Sequence, residues 1–307
     1  MRNIKITTNT LAKICNVSQG TVDRALNNRT GISILTKQKI LDVAKQYGYR
    51  EQFEDDSGEI VGHVGIIVFN LNNEYFSNLI TIIEDALKKK RLGTIVMMSR
   101  YNKQYEIDCI RNLYNMGVEG IVLCSVNSGA DFENYLKLFD IPIVTVGNRV
   151  ESIPFVGIDD FLAMHDITEK VLNSDSKRII YFSPAINYPD AYAQDMRYKG
   201  FLSAMGDREY TIATDLDDIK VYYESKTTVI CSNDYYALQV YFKSENVKIT
   251  GVDNIQTINE YHLPIDTVGY DMTEIAKGVC DIIEGKKSGD IIIKHRIYEH
   301  NNLQHSD

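Results

Sequence analysis

The chain has no tryptophan, and only five prolines and six histidines among 307 residues. It has no apolar run long enough to span a bilayer, and its first residues, MRNIKITTNT, lack the apolar core of a signal peptide. A membrane or exported protein is therefore not expected, and the reading is cytoplasmic. The five cysteines (Cys15, Cys109, Cys124, Cys231, Cys280) are scattered without a C-x-x-C pair, which argues against a disulfide framework and predicts reduced, buried thiols. The histidines are equally dispersed, so neither a metal site nor a cofactor is expected. Walker loops, a G-x-G-x-x-G after a strand and a G-x-S-x-G elbow are also missing, and no histidine is placed as a catalytic base. The adjacent acids Asp159 and Asp160 would point oppositely on an extended segment, and a helix N-cap accounts for one of them. An enzyme is not expected.

What is present is an uneven charge. Residues 1–50 carry nine Lys/Arg against Asp23 and Asp42, a net +7, while the rest carries 24 basic against 40 acidic residues, a net −16. A small basic module on a large acidic one suits a phosphate-binding head whose body repels phosphate.

The head reads as three short helices. Thr7 or Thr8 can cap the first, whose apolar face includes Leu11, Ala12 and Cys15; Asn16 suits a left-handed turn. Ser18 caps a second helix, Gln19 to Leu26, with Val22, Ala25 and Leu26 inward. After a polar loop, Ser33 or Thr36 caps a third, with Ile40, Leu41, Ala44 and Tyr47 as its buried stripe and Gly48 as terminator. The run from Thr7 to Arg50, with its V-S-x-x-T-V-x-R-x-L-N core, resembles the DNA-binding head of the LacI/GalR family.

That resemblance implies a helix-turn-helix whose second helix enters the major groove N-terminus first. It places Gln19, Gly20 and Arg24 at base-reading positions, and Ser18, Thr21, Asn27, Ser33 and Lys37 at phosphate contacts. An ion pair with Asp23 or Asp42 is the competing role for Arg24. The family's hinge, which wedges a Leu into the minor groove, is not transferred. Here residues 51–61 form an acidic linker, with Gly58 at the wedge position and carboxylates at Glu51, Glu54, Asp55, Asp56 and Glu59.

From Val64 onward, β-branched runs alternate with amphipathic helices, as parallel sheets require. Nine strands are expected: 64–70, 94–99, 120–125, 141–146, 178–183, 228–232, 248–252, 265–270 and 291–298. Motifs such as V-G-I-I-V (64–68), V-G-I-D-D (156–160), M-R-Y-K-G-F (196–201) and I-T-G-V-D-N (249–254) resemble, in order, the type I periplasmic-binding-protein fold. The expected class is an all-α head followed by α/β, two doubly wound parallel-sheet lobes. Residues 62–307 would form lobe 1 (62–159 plus 272–288) and lobe 2 (160–271 plus 289–300).

The same resemblance implies a small-molecule effector, a sugar, in the cleft beyond the strand ends. Its contacts map onto Asn73, Tyr75 and Phe76, onto Arg197 in a turn before Gly200, and onto Asn233 and Asp253. Core packing is the competing role for Tyr75 and Phe76. A one-residue slip adds Asn148, and Tyr270 stands where sugar binders commonly carry Gln, hinting at a different or more apolar ligand. The implied protein is a DNA-binding regulator, a repressor of carbohydrate-utilisation genes acting as a homodimer through the helix 75–90. A regulator sensing a non-sugar such as a purine, and a solute-binding protein without a DNA role, are the alternatives.

Overall fold

A computed structural model describes residues 7–26, 29–47, 60–184, 191–220, 226–244 and 246–300. The chain divides into two compact units, Met1–Glu59 and Ile60–Asp307. Residues 51–59 of the expected linker, and Asn27, lie outside the described residues.

The head holds α1 (Thr8–Cys15), α2 (Gln19–Leu26) and α3 (Ile34–Gln46). Each start is set by a hydroxyl. Thr7 accepts from the Thr10 amide at 3.3 Å, Ser18 from Thr21 at 3.1 Å, and Ser33 from Thr36 at 3.1 Å. Asn16 ends α1 at φ 55°, ψ 51°, the left-handed conformation an Asn tolerates. Leu11, Ala12, Cys15, Val22, Ala25, Ile40 and Ala44 form the core. Two members of the expected α3 stripe are not in it: Leu41 is 36% exposed and Tyr47 48%. In a bundle of three short helices only a narrow strip of α3 meets its neighbours, and Val43 packs there instead.

The second unit contains two six-stranded sheets. In the first the order is β11-β5-β4-β3-β1-β2 and every pairing is parallel. Its strands are β1 (Gly62–Val68), β2 (Leu92–Met98), β3 (Gly120–Leu123), β4 (Ile143–Val146), β5 (Phe155–Gly157) and β11 (Ile291–Ile292). Helices α4 (Glu74–Lys88), α5 (Lys103–Asn115), α6 (Ala130–Leu136) and α12 (Met272–Ile283) connect or cover it. In the second the order is β12-β10-β9-β8-β6-β7, parallel but for β12. It comprises β6 (Arg178–Phe182), β7 (Thr211–Ala213), β8 (Thr227–Cys231), β9 (Val247–Val252), β10 (Ile265–Tyr270) and β12 (His295–Tyr298). Its helices are α7 (Asp160–Leu172), α8 (Tyr192–Met205), α9 (Leu216–Lys220), α10 (Asp234–Lys243) and α11 (Gln256–Glu260).

Strands such as β3 and β8 are buried at every position, because helices cover both faces of a parallel sheet. Two sequence expectations are corrected here. The run 291–298 is not one strand: β11 pairs with β5 in the first lobe and β12 with β10 in the second, so the assignment of all of 289–300 to lobe 2 fails at β11. Residues 196–201 are the middle of α8 rather than a turn, and Gly200 is there because a Cβ would sit 2.1 Å from the Phe161 carbonyl oxygen, where α8 crosses α7. Among the described residues the chain thus passes between lobes three times, after β5, β10 and β11.

Candidate DNA-reading face and ligand cleft

On the head, Ser18, Gln19, Gly20 and Arg24 are exposed along one edge of α2. Gln19 Nε2 donates to Thr8 Oγ1 at 3.1 Å, which steadies its amide beside the α1 N-terminus. The ion pair weighed for Arg24 does not form among the described residues: Asp23 is taken by Arg29 at 3.2 Å and Asp42 by Gln38 at 3.0 Å. Thr21 shares a 2.8 Å hydroxyl contact with Ser18, and Ser33 a 2.8 Å contact with Thr36, so these hydroxyls cap helices as well as facing outward. Lys37 is half-buried one turn into α3.

In the body, the carboxyl ends of the two sheets face each other. Tyr75, in the first turn of α4, meets Tyr270 at the end of β10 edge to face, with ring centroids 6.5 Å apart. Phe76 continues the aromatic contact at 5.0 Å, and Phe69 lies a further 5.0 Å on. Across from them stands Arg197 on α8, only 6% exposed. Its Nε donates to Asp160 at 2.8 Å, Nη1 to the Ser232 carbonyl at 2.8 Å, and Nη2 to Asp253 at 3.1 Å. Asp253 follows β9 with φ 123°, a conformation L-residues rarely adopt, and is 6% exposed.

A third buried carboxylate, Asp234, opens α10 and accepts from the Thr267 hydroxyl at 2.7 Å and the Ile255 amide at 3.1 Å. Gly251 makes room for it, since a Cβ there would fall 2.1 Å from its Oδ1. Burial pushes all three carboxyls up. Asp253 reaches about 6, with Arg197 opposing and Asp160 adding to the rise. Asp234 reaches about 7, through burial and then the charge of Asp253. Asp160 rises by burial against the pull of Arg197. For Arg197 burial works against the charge, but Asp253 and Asp160 outweigh it and keep the guanidinium protonated.

Residues 61–268 match the family described as periplasmic binding proteins and sugar binding domain of LacI family. The chain belongs to this family. It is 23% identical to the catabolite control protein A of Priestia megaterium, over 91% of this chain and 90% of that one. It is 24% identical to the sucrose operon repressor of Pediococcus pentosaceus, over 87% and 88% respectively. A periplasmic binding protein/LacI transcriptional regulator from Alkaliphilus metalliredigens, solved with D-xylulofuranose, shares the fold with a TM-score of 0.65 at 20% identity, covering 78% of this chain and 97% of that one.

Of the residues mapped from the LacI/GalR resemblance, the structure brings Tyr75, Phe76, Arg197, Asn233, Asp253 and Tyr270 to this one region, all but Tyr270 buried. Several also do local work. Asn73 caps α4, accepting from the Tyr75 amide at 3.0 Å, and Asn233 caps α10, accepting from Tyr236 at 2.9 Å. Asn148 is engaged at both ends: Nδ2 donates to the Ser125 carbonyl at 2.9 Å and Oδ1 accepts from Ala193 of the other lobe at 3.3 Å. Its neighbour Arg149 pairs with Asp290.

Three groups escaped the sequence reading. Asp159 is the N-cap, accepting from Leu162 at 2.9 Å, which frees Asp160 to turn inward to Arg197. Fully buried Glu106 ties the loop after β3 by accepting from Ser125 Oγ at 2.8 Å and the Val126 amide at 2.7 Å. Glu74 reaches Thr257 on the other lobe. The doubled acid of V-G-I-D-D was the available signal for Asp160; nothing local marks the other two.

The cysteines are all buried with free thiols. Among the described residues no helix is long and apolar enough to cross a membrane, and no cluster of three His, Cys, Asp or Glu could hold a metal ion.

Proposed function

We propose that this chain is a sequence-specific DNA-binding transcriptional regulator, a repressor of carbohydrate-utilisation genes controlled by a sugar bound between the lobes. The observation that carries this reading is the pairing of units: a helix-turn-helix with an exposed recognition edge precedes a two-lobed unit of a ligand-binding family. The names of the relatives support it, since one is a sucrose operon repressor and one fold neighbour was solved with a sugar.

In this reading Gln19 and Arg24 contact base edges from the major groove, Gly20 lets the backbone come close, and Ser18, Thr21, Asn27, Ser33 and Lys37 hold the phosphates. The working form is a cytoplasmic homodimer, because one head offers too few contacts for specific binding. In the cleft, Tyr75, Phe76 and Tyr270 supply aromatic surface for ring C–H faces. Asp253, Asn233, Asn73, Asn148 and Arg197 supply or position the directional hydrogen bonds. Binding across the seam shifts the population of lobe arrangements, and the dimer passes that shift to its heads. The test is selection of bound sequences from random duplexes by the full-length protein, repeated with a sugar panel. A recovered near-palindrome whose binding responds to one sugar is expected; no preference over random duplex would defeat the reading.

A further inference from the structure

The cleft holds more negative than positive charge. Asp160, Asp234 and Asp253 are 5%, 0% and 6% exposed, and Arg197 is the guanidinium set among them. Asp234, with donors on its carboxylate from Thr267 and Ile255, is raised to about 7 and so can carry a proton near neutrality. Arg197 then balances one of the remaining two carboxylates, and one negative charge is left over. Burying such a charge is costly unless something pairs with it.

The hydrogen bonds locate where that pairing is missing. Arg197 reaches Oδ1 of Asp160 and Oδ1 of Asp253, and among the described residues nothing donates to the second oxygen of either. Nearby, in the residue whose carbonyl receives Arg197, the Ser232 hydroxyl is buried and has no partner among the described residues. Asp253 follows β9, and its amide donates to the Val268 carbonyl of β10, the strand that ends at Tyr270, whose ring meets that of Tyr75. A carboxylate at this strand end, next to an aromatic pair, offers what a protonated amine takes, a charge-assisted hydrogen bond and attraction to ring faces.

We infer that the effector between the lobes is an amino sugar, a polyhydroxylated ring whose protonated amine docks on Asp253 beside Tyr75 and Tyr270. The inference rests on the proposed reading that a sugar binds in this cleft. A neutral sugar can use the same carboxylates as acceptors for its hydroxyls, but it leaves the surplus charge uncompensated. An ammonium removes it.

The test is calorimetric titration of the full-length protein at neutral pH with D-glucosamine, D-galactosamine and D-mannosamine. Each is paired with its parent hexose and its N-acetyl form, which keeps the nitrogen but not the charge. At least one amine should bind about tenfold or more tighter than both of its neutral counterparts. Asp253→Asn, which keeps the shape and removes the charge, should abolish that preference. Asp160→Asn gives a second reading from the same cluster, and circular dichroism checks the fold of both. A parent or N-acetyl sugar binding as tightly as its amine overturns the inference and leaves the sugar reading intact. Failure of every compound at about 10 mM overturns the inference and counts against the sugar reading as well. An amine preference that survives in both variants overturns the assignment to these carboxylates.

Discussion

Glu74, the first residue of α4 in the first lobe, accepts the backbone N–H of Thr257 in the second lobe at 3.0 Å, and the Thr257 hydroxyl donates to the same carboxylate. Among the described residues this joins the Asn148–Ala193 hydrogen bond and the Tyr75–Tyr270 ring contact as a direct tie across the seam. Glu74→Ala should shift the ligand-free protein toward open forms and weaken effector binding by about 1–2 kcal/mol. Small-angle scattering without ligand and calorimetry with it are the measurements. Unchanged scattering and affinity would show that the tie carries no closure energy.

Arg197 was mapped from the sequence as a ligand contact, and its three protein acceptors give it a structural role as well. Arg197→Ala strands Asp160 and Asp253 as buried, unpaired carboxylates, and should cost about 3–5 kcal/mol of stability. Urea denaturation followed by far-ultraviolet circular dichroism reads this directly. A loss below about 1 kcal/mol would mean the network relaxes into water on truncation.

The raised carboxyls fix the sign of a pH effect. Asp253 at about 6 and Asp234 at about 7 bind protons in the folded protein at pH values where an unfolded aspartate, near 4, does not. Their contribution to stability is present in full below the unfolded value and is lost as pH rises through 6 and 7. The depressed groups Asp175, Asp271 and Glu284 act the other way, but only under acid conditions near their own lower range. Calorimetric melting midpoints should therefore be higher at about pH 5.5 than at about pH 8, and Asp234→Asn should flatten the difference. Equal midpoints for the wild type would contradict the assignment.

On the head, Arg24→Ala should remove discrimination at one base pair at a cost of about 1–3 kcal/mol, while Lys37→Ala should weaken all sequences alike. Sequencing of the DNA retained by each variant separates the two effects. An Arg24→Ala protein with the wild-type base preference would take Arg24 out of the reading set.

Much of this was legible because the signals are local. Hydroxyl caps at Thr7, Ser18 and Ser33 fixed the starts of three helices, and long β-branched runs marked β1, β8 and β9. β5 and β7 span three residues each, too short for periodicity to register. The run 291–298 has one uniform composition, and only its partners reveal that it serves two sheets. At the site, residue types placed Asp253 and Asn233 correctly at strand ends. They could not show that Arg197 is spoken for by the protein, because its acceptors come from α7, β9 and the turn after β8. Glu74 failed to register for the same reason: its partner is remote in sequence.

The splitting of that final run bears on biosynthesis. β11 and β12 are separated only by Ile293 and Lys294, yet each completes the outer edge of a different sheet. A nascent chain that has produced everything up to β10 therefore presents two sheets with bare backbone on one side, each able to recruit the wrong strand. The head, whose core is built from its own residues, has no such dependence and can be finished early. Both sheets wait for the same last stretch of chain, so a ribosome stalled before residue 291 would hold an assembled head on a second unit whose two sheets each lack an edge strand.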